Sequence, residues 1–296
     1  MDDKESLTGL FEANRGHLRA VAYRMLGSVS EADDAVQEAW IRLDRTDTGD
    51  VRNLGAWLTT VVARVCLNML RSRETRREEP LEIRMPDPVV SLGDGADPES
   101  EALMADSVGL ALLVVLQALE PTERLAFVLH DMFAVPFDEI APIIDRTPAA
   151  TRQIASRARR RVREAAVEPD PDISRQREVV EAFMAASRDG DFDALVSLLH
   201  PDVVLRTDSG PVVAKAWSEL RGALTVAKEA FLFRGMAADG YPVLVNGTAG
   251  MLVVRHGRAA AIGAVTVAGG RIVALDILAD PVRLADFDVT PFTGRS

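Results

Sequence analysis

Between Pro136 and Arg163 two short helical patterns meet at Asp145-Arg146-Thr147-Pro148, a turn of the length that joins the two members of a helix-turn-helix. The first is Phe137 to Ile144. Pro142 falls inside it and should shorten or kink it, because proline lacks the amide and its ring clashes with the preceding turn. The second runs from Ala149 to Arg163. Thr147 has the side chain of a cap, and Pro148 suits a first helical position. Ile154, Ala155 and Ala158 share the inward face, leaving Arg152, Gln153, Ser156 and Arg157 outward. Arginine and glutamine read guanine and adenine edges with paired hydrogen bonds; Arg159, Arg160 and Arg163 are placed to hold phosphates. The DNA-facing set is therefore expected to be Arg152, Gln153, Ser156, Arg157 and Arg160. A solvated basic helix in a protein-binding bundle would need neither this turn nor the small residues where the helices cross. Just upstream, Leu119-Glu-Pro-Thr-Glu-Arg124 opens a helix with Thr122 as its expected cap and Leu125, Val128 and Leu129 facing inward.

A net charge of −11 argues at first against nucleic acid. Where cations cluster matters more, since phosphate contacts are local. From Arg146 to Arg163 there are seven arginines and no acid. By contrast residues 81–105 carry one base against six acids. With 48% hydrophobic and 27% charged residues, the 296-residue chain reads as a soluble globular protein long enough for two or three domains. Its one cysteine, Cys66, lies in an apolar helical run and is expected to be a buried, inert thiol. A reducing cytoplasm fits. Met1-Asp2-Asp3-Lys4-Glu5 lacks the apolar core of a signal peptide, and no apolar run approaches the length of a membrane span.

Helical spacing dominates residues 7–79. Leu18, Val21, Ala22 and Met25 repeat at three or four, as do Ala35, Val36, Ala39, Trp40 and Leu43. After the polar turn Thr46-Asp47-Thr48-Gly49-Asp50, Trp57, Leu58, Val61, Val62, Val65 and Leu70 resume it. Asp33, Asp34, Gln37 and Glu38 fall largely on one helical face, which by itself is what any solvated acidic face looks like. Arg64, Asn68 and Arg71, at i, i+4 and i+7, line up hydrogen-bond donors on an otherwise apolar helix and suit nucleic acid. Proline, glycine and acids crowd residues 80–100, which marks a linker. Helical period returns over 101–165, and Glu168-Pro-Asp-Pro-Asp172 closes that region.

From residue 173 to 290 the pattern changes. Arg175–Ser187 and Phe192–Leu199 read as helices. Strands are expected at Val203–Thr207, Tyr241–Asn246, Ala249–His256, Ala259–Val267 and Arg271–Leu278, with Asn246-Gly247 and Gly269-Gly270 as hairpin turns. Helices followed by a meandering sheet predict an α+β cone or open barrel.

Taken in order, Asp-Asp-Ala-Val-Gln-Glu-Ala-Trp40, Ala56-Trp-Leu58, the Arg64/Asn68 helix, and Leu119-Glu-Pro-Thr-Glu-Arg124 through Ser156-Arg-Ala-Arg-Arg-Arg161 resemble bacterial sigma factors of the extracytoplasmic-function (ECF) group. The resemblance covers about residues 7–164. It implies a multi-domain fold: an all-α σ2 bundle, an all-α σ4 helix-turn-helix, and the α+β region appended. It also implies partners and roles. Asp33, Asp34, Gln37 and Glu38 would bind RNA polymerase core at the β′ clamp helices. Arg64, Asn68 and Arg71 would face the melted −10 element of promoter DNA, beside a loop around Asp44–Gly55 that in the family holds an unstacked base. Arg152, Gln153, Ser156, Arg157 and Arg160 would engage the −35 duplex.

Residues 173–290 resemble the SnoaL-like, NTF2-type cone found on one ECF subset, chiefly through Val179-Val-Glu-Ala-Phe-Met184 and Asp189-Gly-Asp-Phe-Asp-Ala-Leu195 up to His200-Pro201-Asp202. Two motifs depart from that subset. Its Trp-Leu-Pro-Glu-Pro linker is here Arg84-Met-Pro-Asp-Pro88, and its Asn-Pro-Asp-Lys-Leu is Asp280-Pro-Val-Arg-Leu284, so the contact between linker and domain is expected to be altered. Cone relatives include enzymes that use an Asp or His as acid or base. His200, Asp202, Asp208, His256 and Asp276 are the residues to weigh here. With His200-Pro201 expected to cap a helix and His256 beside a turn, no acid–base pair stands out. No catalytic residue, cofactor or metal is expected; a regulatory domain is, through an intramolecular contact or a small ligand in the cone. The anti-sigma partner stays open. Two other readings remain: a DNA-binding regulator that does not use polymerase core, and a SnoaL-type enzyme fused to a DNA-binding module.

Overall fold

The computed structural model describes residues 2–46, 53–75, 84–92, 109–165, 167–211, 216–237 and 239–293. They divide into two compact units, one holding residues 2–75 and 113–165, the other residues 84–92, 109–112 and 167–293.

Three long helices begin the first unit: α1 (Asp2–Leu26), α2 (Val29–Asp44) and α3 (Leu54–Thr75). Their apolar repeats converge, burying Leu18, Val21, Met25, Ala35, Ala39, Leu43, Leu58, Val62 and Leu67. Phe11 and Trp40 close one side of this bundle with rings 4.9 Å apart. After α4 (Leu110–Gln117), α5 (Pro121–Phe127) continues into a π-helical turn, Val128–Met132. Thr122 does not cap α5. The helix starts two residues earlier than that cap would set, with Pro121 at its first position and Glu120 before it. Leu125, Val128 and Leu129 are fully buried as their spacing predicts.

The helix-turn-helix pair follows. Pro142 has the expected effect: α6 (Phe137–Ile140) is only four residues, and Ala141–Ile143 tighten into a 3-10 turn. Asp145 then takes a left-handed conformation with φ 54°, and α7 spans Pro148–Ala165.

The second unit is α+β, as expected. Helices α8 (Ile173–Asp189) and α9 (Phe192–Leu198) precede β2 (Leu199–Asp208). Next come β3 (Trp217–Arg221), α10 (Ala223–Leu232) and α11 (Arg234–Ala237). Strands β4 (Gly240–Val245), β5 (Thr248–Arg255), β6 (Arg258–Ala268) and β7 (Arg271–Leu278) form a meander, and α12 (Thr290–Thr293) ends the described chain. One face of the sheet packs on the helices: Val180, Phe183, Leu195 and Val226 meet Leu205, Ala249, Val265 and Leu275.

Two features differ from expectation. Residues 209–240, unassigned by sequence pattern, supply β3, α10 and α11. The linker, expected to be irregular, contributes β1 (Val90–Ser91), which pairs antiparallel with β4. The sheet order is β1-β4-β5-β6-β7-β2-β3, parallel only between β7 and β2. Strand β1 is too short to be seen as a period; it exists because β4 offers an unpaired edge.

Candidate nucleic-acid interface

Helix α7 is fixed at its start by its own sequence. The Thr147 hydroxyl accepts from the Ala150 amide at 3.2 Å, and the Thr147 carbonyl accepts from Thr151 at 2.9 Å. Thr151, Ile154, Ala155, Ala158 and Val162 are buried. The opposite face exposes Arg152, Gln153, Ser156, Arg157 and Arg160, the five positions expected to meet DNA. Two other arginines are held from behind. Arg159 donates to Asp131 at 2.6 Å, which raises its pKa further, and Arg161 donates to Glu123 at 2.8 Å. Arg159, expected on a phosphate, thus braces α7 against the π-helical turn that continues α5. Arg152 lies over the Phe137 ring, 5.2 Å from its centroid.

On α2, Asp34 and Gln37 are exposed and Glu38 is half-buried. Asp33 differs from them in being paired: Arg19 of α1 grips it with two hydrogen bonds of 2.6 and 3.1 Å. Glu38 accepts from Arg42 at 2.8 Å, one turn along the same helix. Such exposed i,i+4 pairs are weak and yield to a partner at little cost. On α3, Arg64, Asn68 and Arg71 are exposed, whereas Val61, Val62, Val65, Cys66, Leu67 and Leu70 are buried. Burial pushes the Cys66 thiol pKa far up, leaving it an inert core residue. Half of the expected base-holding loop at Asp44–Gly55, residues 47–52, lies outside the described residues.

Within this unit the helices of residues 2–75 pack directly on those that carry α7. Arg124, buried on α5, donates to the carbonyls of Met25 (2.8 Å), Gln117 (2.8 Å) and Leu119. Phe133 stands edge-on to His17 at 5.1 Å and lies under the Arg24 guanidinium at 5.0 Å. Arg124 sits in Leu119-Glu-Pro-Thr-Glu-Arg124, but nothing in the pattern distinguishes a carbonyl-capping arginine from a surface one.

In the second unit the linker is clamped. The Met85 amide donates to Asp208 at 2.9 Å. Arg283 donates to the same carboxylate at 3.0 Å, to the Met85 carbonyl at 2.8 Å, and to Asp87. Val89 exchanges two bonds with Asn246, its amide reaching the side chain (3.1 Å) and its carbonyl the backbone (2.8 Å). The two departing motifs therefore still meet, through Asp87 of Arg84-Met-Pro-Asp-Pro88 and Arg283 of Asp280-Pro-Val-Arg-Leu284. Charge opposition between those motifs was the signal that could have found it.

Of the acid–base candidates, Asp208 and Asp276 lie on the neighbouring strands β2 and β7 but are each taken up by an arginine, and His200, at the opposite end of β2, and His256 lie apart from them. Asp208 belongs to the linker clamp. Asp276 is fully buried and accepts from Arg206 at 2.9 Å; burial raises its pKa and the Arg206 charge opposes that rise. It alternates with Leu275 and so lies on the sheet face turned away from the helices. His200 caps no helix: it lies in β2, where its ring nitrogen accepts from the Asp202 amide at 3.2 Å. His256 sits in the β5–β6 turn at φ 52°. A cleft of about 170 Å³ beside the linker, lined by Leu92, Arg177, Val180, Glu181 and Val243, is smaller than sites for sizeable ligands, which start near ~300 Å³. Among the described residues no helix is long and apolar enough to cross a membrane.

A σ2-like bundle carrying a donor stripe, followed by a basic helix-turn-helix, defines a class: two-domain promoter readers. Comparison with known proteins agrees. Sigma-70 region 2 matches residues 10–76, and Sigma-70, region 4 matches residues 109–162. The ECF RNA polymerase sigma factor SigJ of Mycobacterium tuberculosis is 44% identical over 92% of this chain and 91% of its own length. The probable ECF RNA polymerase sigma factor SigI of the same species is 34% identical over 74% of this chain and 79% of its own. The crystal structure of M. tuberculosis SigJ superimposes with a TM-score of 0.76 at 40% identity, covering 94% of this chain and 98% of that one. The chain belongs to the ECF RNA polymerase sigma factors.

Proposed function

We propose that the protein binds RNA polymerase core and directs initiation at specific promoters, under control of its C-terminal domain. Asp34, Gln37 and Glu38, with Asp33 held beside them by Arg19, dock on the β′ clamp helices. Arg64, Asn68 and Arg71 engage the melted −10 strand. Arg152, Gln153, Ser156, Arg157 and Arg160 read the −35 duplex, where a helix fits the major groove. The observation that carries this reading is the five-residue exposed face of α7, capped at its start and braced by Arg159 and Arg161. Each reader is weak alone; polymerase supplies their effective concentration.

Control through the linker is supported by the clamp on Met85, Asp87 and Val89, since the linker connects the two readers. A role in catalysis is disfavoured because both candidate carboxylates are already engaged, Asp208 by Arg283 and the Met85 amide and Asp276 by Arg206. The test is run-off transcription with purified core enzyme on a promoter library, using the full chain and a form ending at residue 165. Promoter-specific starts that Asp34→Ala and Glu38→Ala abolish are expected. Specific duplex binding without polymerase-dependent starts would sink the proposal in favour of a regulator that does not use core.

A further inference from the structure

Arg152 is the exposed arginine of α7 that rests on an aromatic ring, and this ring is itself fixed. His130 stacks on Phe137 with centroids 3.7 Å apart and planes 28° from parallel. The His130 Nδ1–H donates to the Val135 carbonyl at 3.0 Å, so the imidazole is tied to the loop leading into α6. The Arg152 guanidinium carbon lies over the same ring, 5.2 Å from the Phe137 centroid. Next to it Asp131, the neighbour of His130, holds Arg159 on the same edge of α7. Arg157 and Arg160 project from the middle of the exposed face, with no aromatic neighbour among the described residues.

We infer that Phe137 is a positioning residue for promoter readout, holding the Arg152 guanidinium in the plane from which it pairs with a base edge. The chemistry permits both contacts together. A guanidinium offers its flat face to the ring, while its N–H donors lie in the plane and point outward from the edge. Bidentate pairing with the O6 and N7 acceptors of guanine uses that edge and leaves the face covered. Arg152 is the fifth residue of α7, in the N-terminal part of a recognition helix that reaches base edges. An unrestrained arginine must be ordered when it binds; one already held against a ring loses less freedom for each bond formed. The base preference at the position read by Arg152 is therefore set partly by a residue that touches no DNA.

This inference rests on the assignment of α7 to the −35 element. Its test uses full-length protein with core polymerase, scoring starts on a library randomised across the −35 element. The variants are Phe137→Leu, Phe137→Met, Phe137→Tyr, Arg152→Ala and the Phe137→Leu/Arg152→Ala pair. Arg152→Ala should flatten the preference at one or two adjacent positions. Phe137→Leu and Phe137→Met keep apolar bulk but lose the ring face. They should flatten the same positions by about two- to five-fold, the range of an exposed cation–π contact. Phe137→Tyr should retain the preference, and the pair should match Arg152→Ala alone. A uniform loss across all sequences in both the leucine and methionine variants would overturn the inference and leave Phe137 a packing residue. So would an unchanged preference in those variants where Arg152→Ala flattens it. If wild-type protein starts at no specific promoter, or Arg152→Ala changes nothing in the −35 element, the assignment of α7 itself fails.

Discussion

Arg283 shows how one side chain can hold a segment nearly two hundred residues away in sequence. Its guanidinium and the Asp208 carboxylate are each about 7% exposed; Arg283 spends its remaining bonds on the linker, and Asp208 accepts from the linker amide of Met85 and from Gly210. Removing the arginine leaves a buried carboxylate with only the Met85 and Gly210 amides to face. Breaking such a pair from one side commonly costs roughly 3–5 kcal/mol, because the partner charge stays buried. Arg283→Ala should therefore lower urea stability by about 3 kcal/mol at neutral pH, with Arg283→Lys losing less because it keeps the charge. Amide exchange at Met85 and Val89 should accelerate in the same variant. Unchanged protection there would show that β1 pairing alone holds the linker.

At the scale of elements, the β6–β7 turn illustrates how a connector is tied down. Asp170, in the segment after α7, accepts from the Gly269 and Gly270 amides at 2.9 Å each, and its own amide donates to Val267 at 2.7 Å. The Gly270 bond, then the Gly269 bond, hold its pKa below the usual carboxylate range. A depressed folded-state pKa adds stability above the unfolded pKa of about 3.9, and that stability is lost as pH falls through the folded value. Asp170→Asn should flatten the acid limb of stability against pH and leave the neutral-to-basic limb parallel to wild type. A urea midpoint measured from pH 2 to 8 checks this; parallel acid limbs would refute it. Glu168-Pro-Asp-Pro-Asp172 was legible as a boundary, but not as a clasp, because its partner lies about a hundred residues on. The same division holds elsewhere. Helices α2, α3 and α7 were legible from spacing, and α7 from its cap as well, since those causes are local. Strand β1 and the exposed, short β3 were not, because pairing rather than pattern creates them. The donor face of α7 could be read from its period. The Phe137 platform, the Arg124 anchor and the Asp131 brace needed the packing of one helix on another.

For the first unit as a whole, promoter geometry demands a rearrangement. The −10 and −35 elements are about 25 base pairs apart, roughly 85 Å along B-form DNA at 3.4 Å per step. A compact unit of this size has a radius of gyration of roughly 14 Å, or a diameter near ~40 Å. With α5 and its π-helical turn packed on α1 and α3, Arg64 and Arg152 cannot make the contacts proposed for them with both elements at once. The proposed promoter contacts therefore require the α7-bearing helices to leave the bundle. The contacts that close the unit differ in what their loss would do. Arg124 caps buried carbonyls on both sides, so removing it damages folding as well as closure. Phe133 is half-buried, and its ring contacts with His17 and Arg24 act across the joint. An edge-to-face pair and a cation–π contact together contribute on the order of 1–2 kcal/mol. If the closed form dominates, its occupancy weakens apparent promoter affinity by the fraction it withholds. Phe133→Ala should then raise run-off transcription at limiting protein by about five- to thirty-fold, a shift of that energy, without changing which promoter is chosen. Small-angle scattering of the free variant should show a larger radius. Lower transcription with an unchanged radius would mean that Phe133 supports the fold of the helix-turn-helix and that other contacts hold the unit closed.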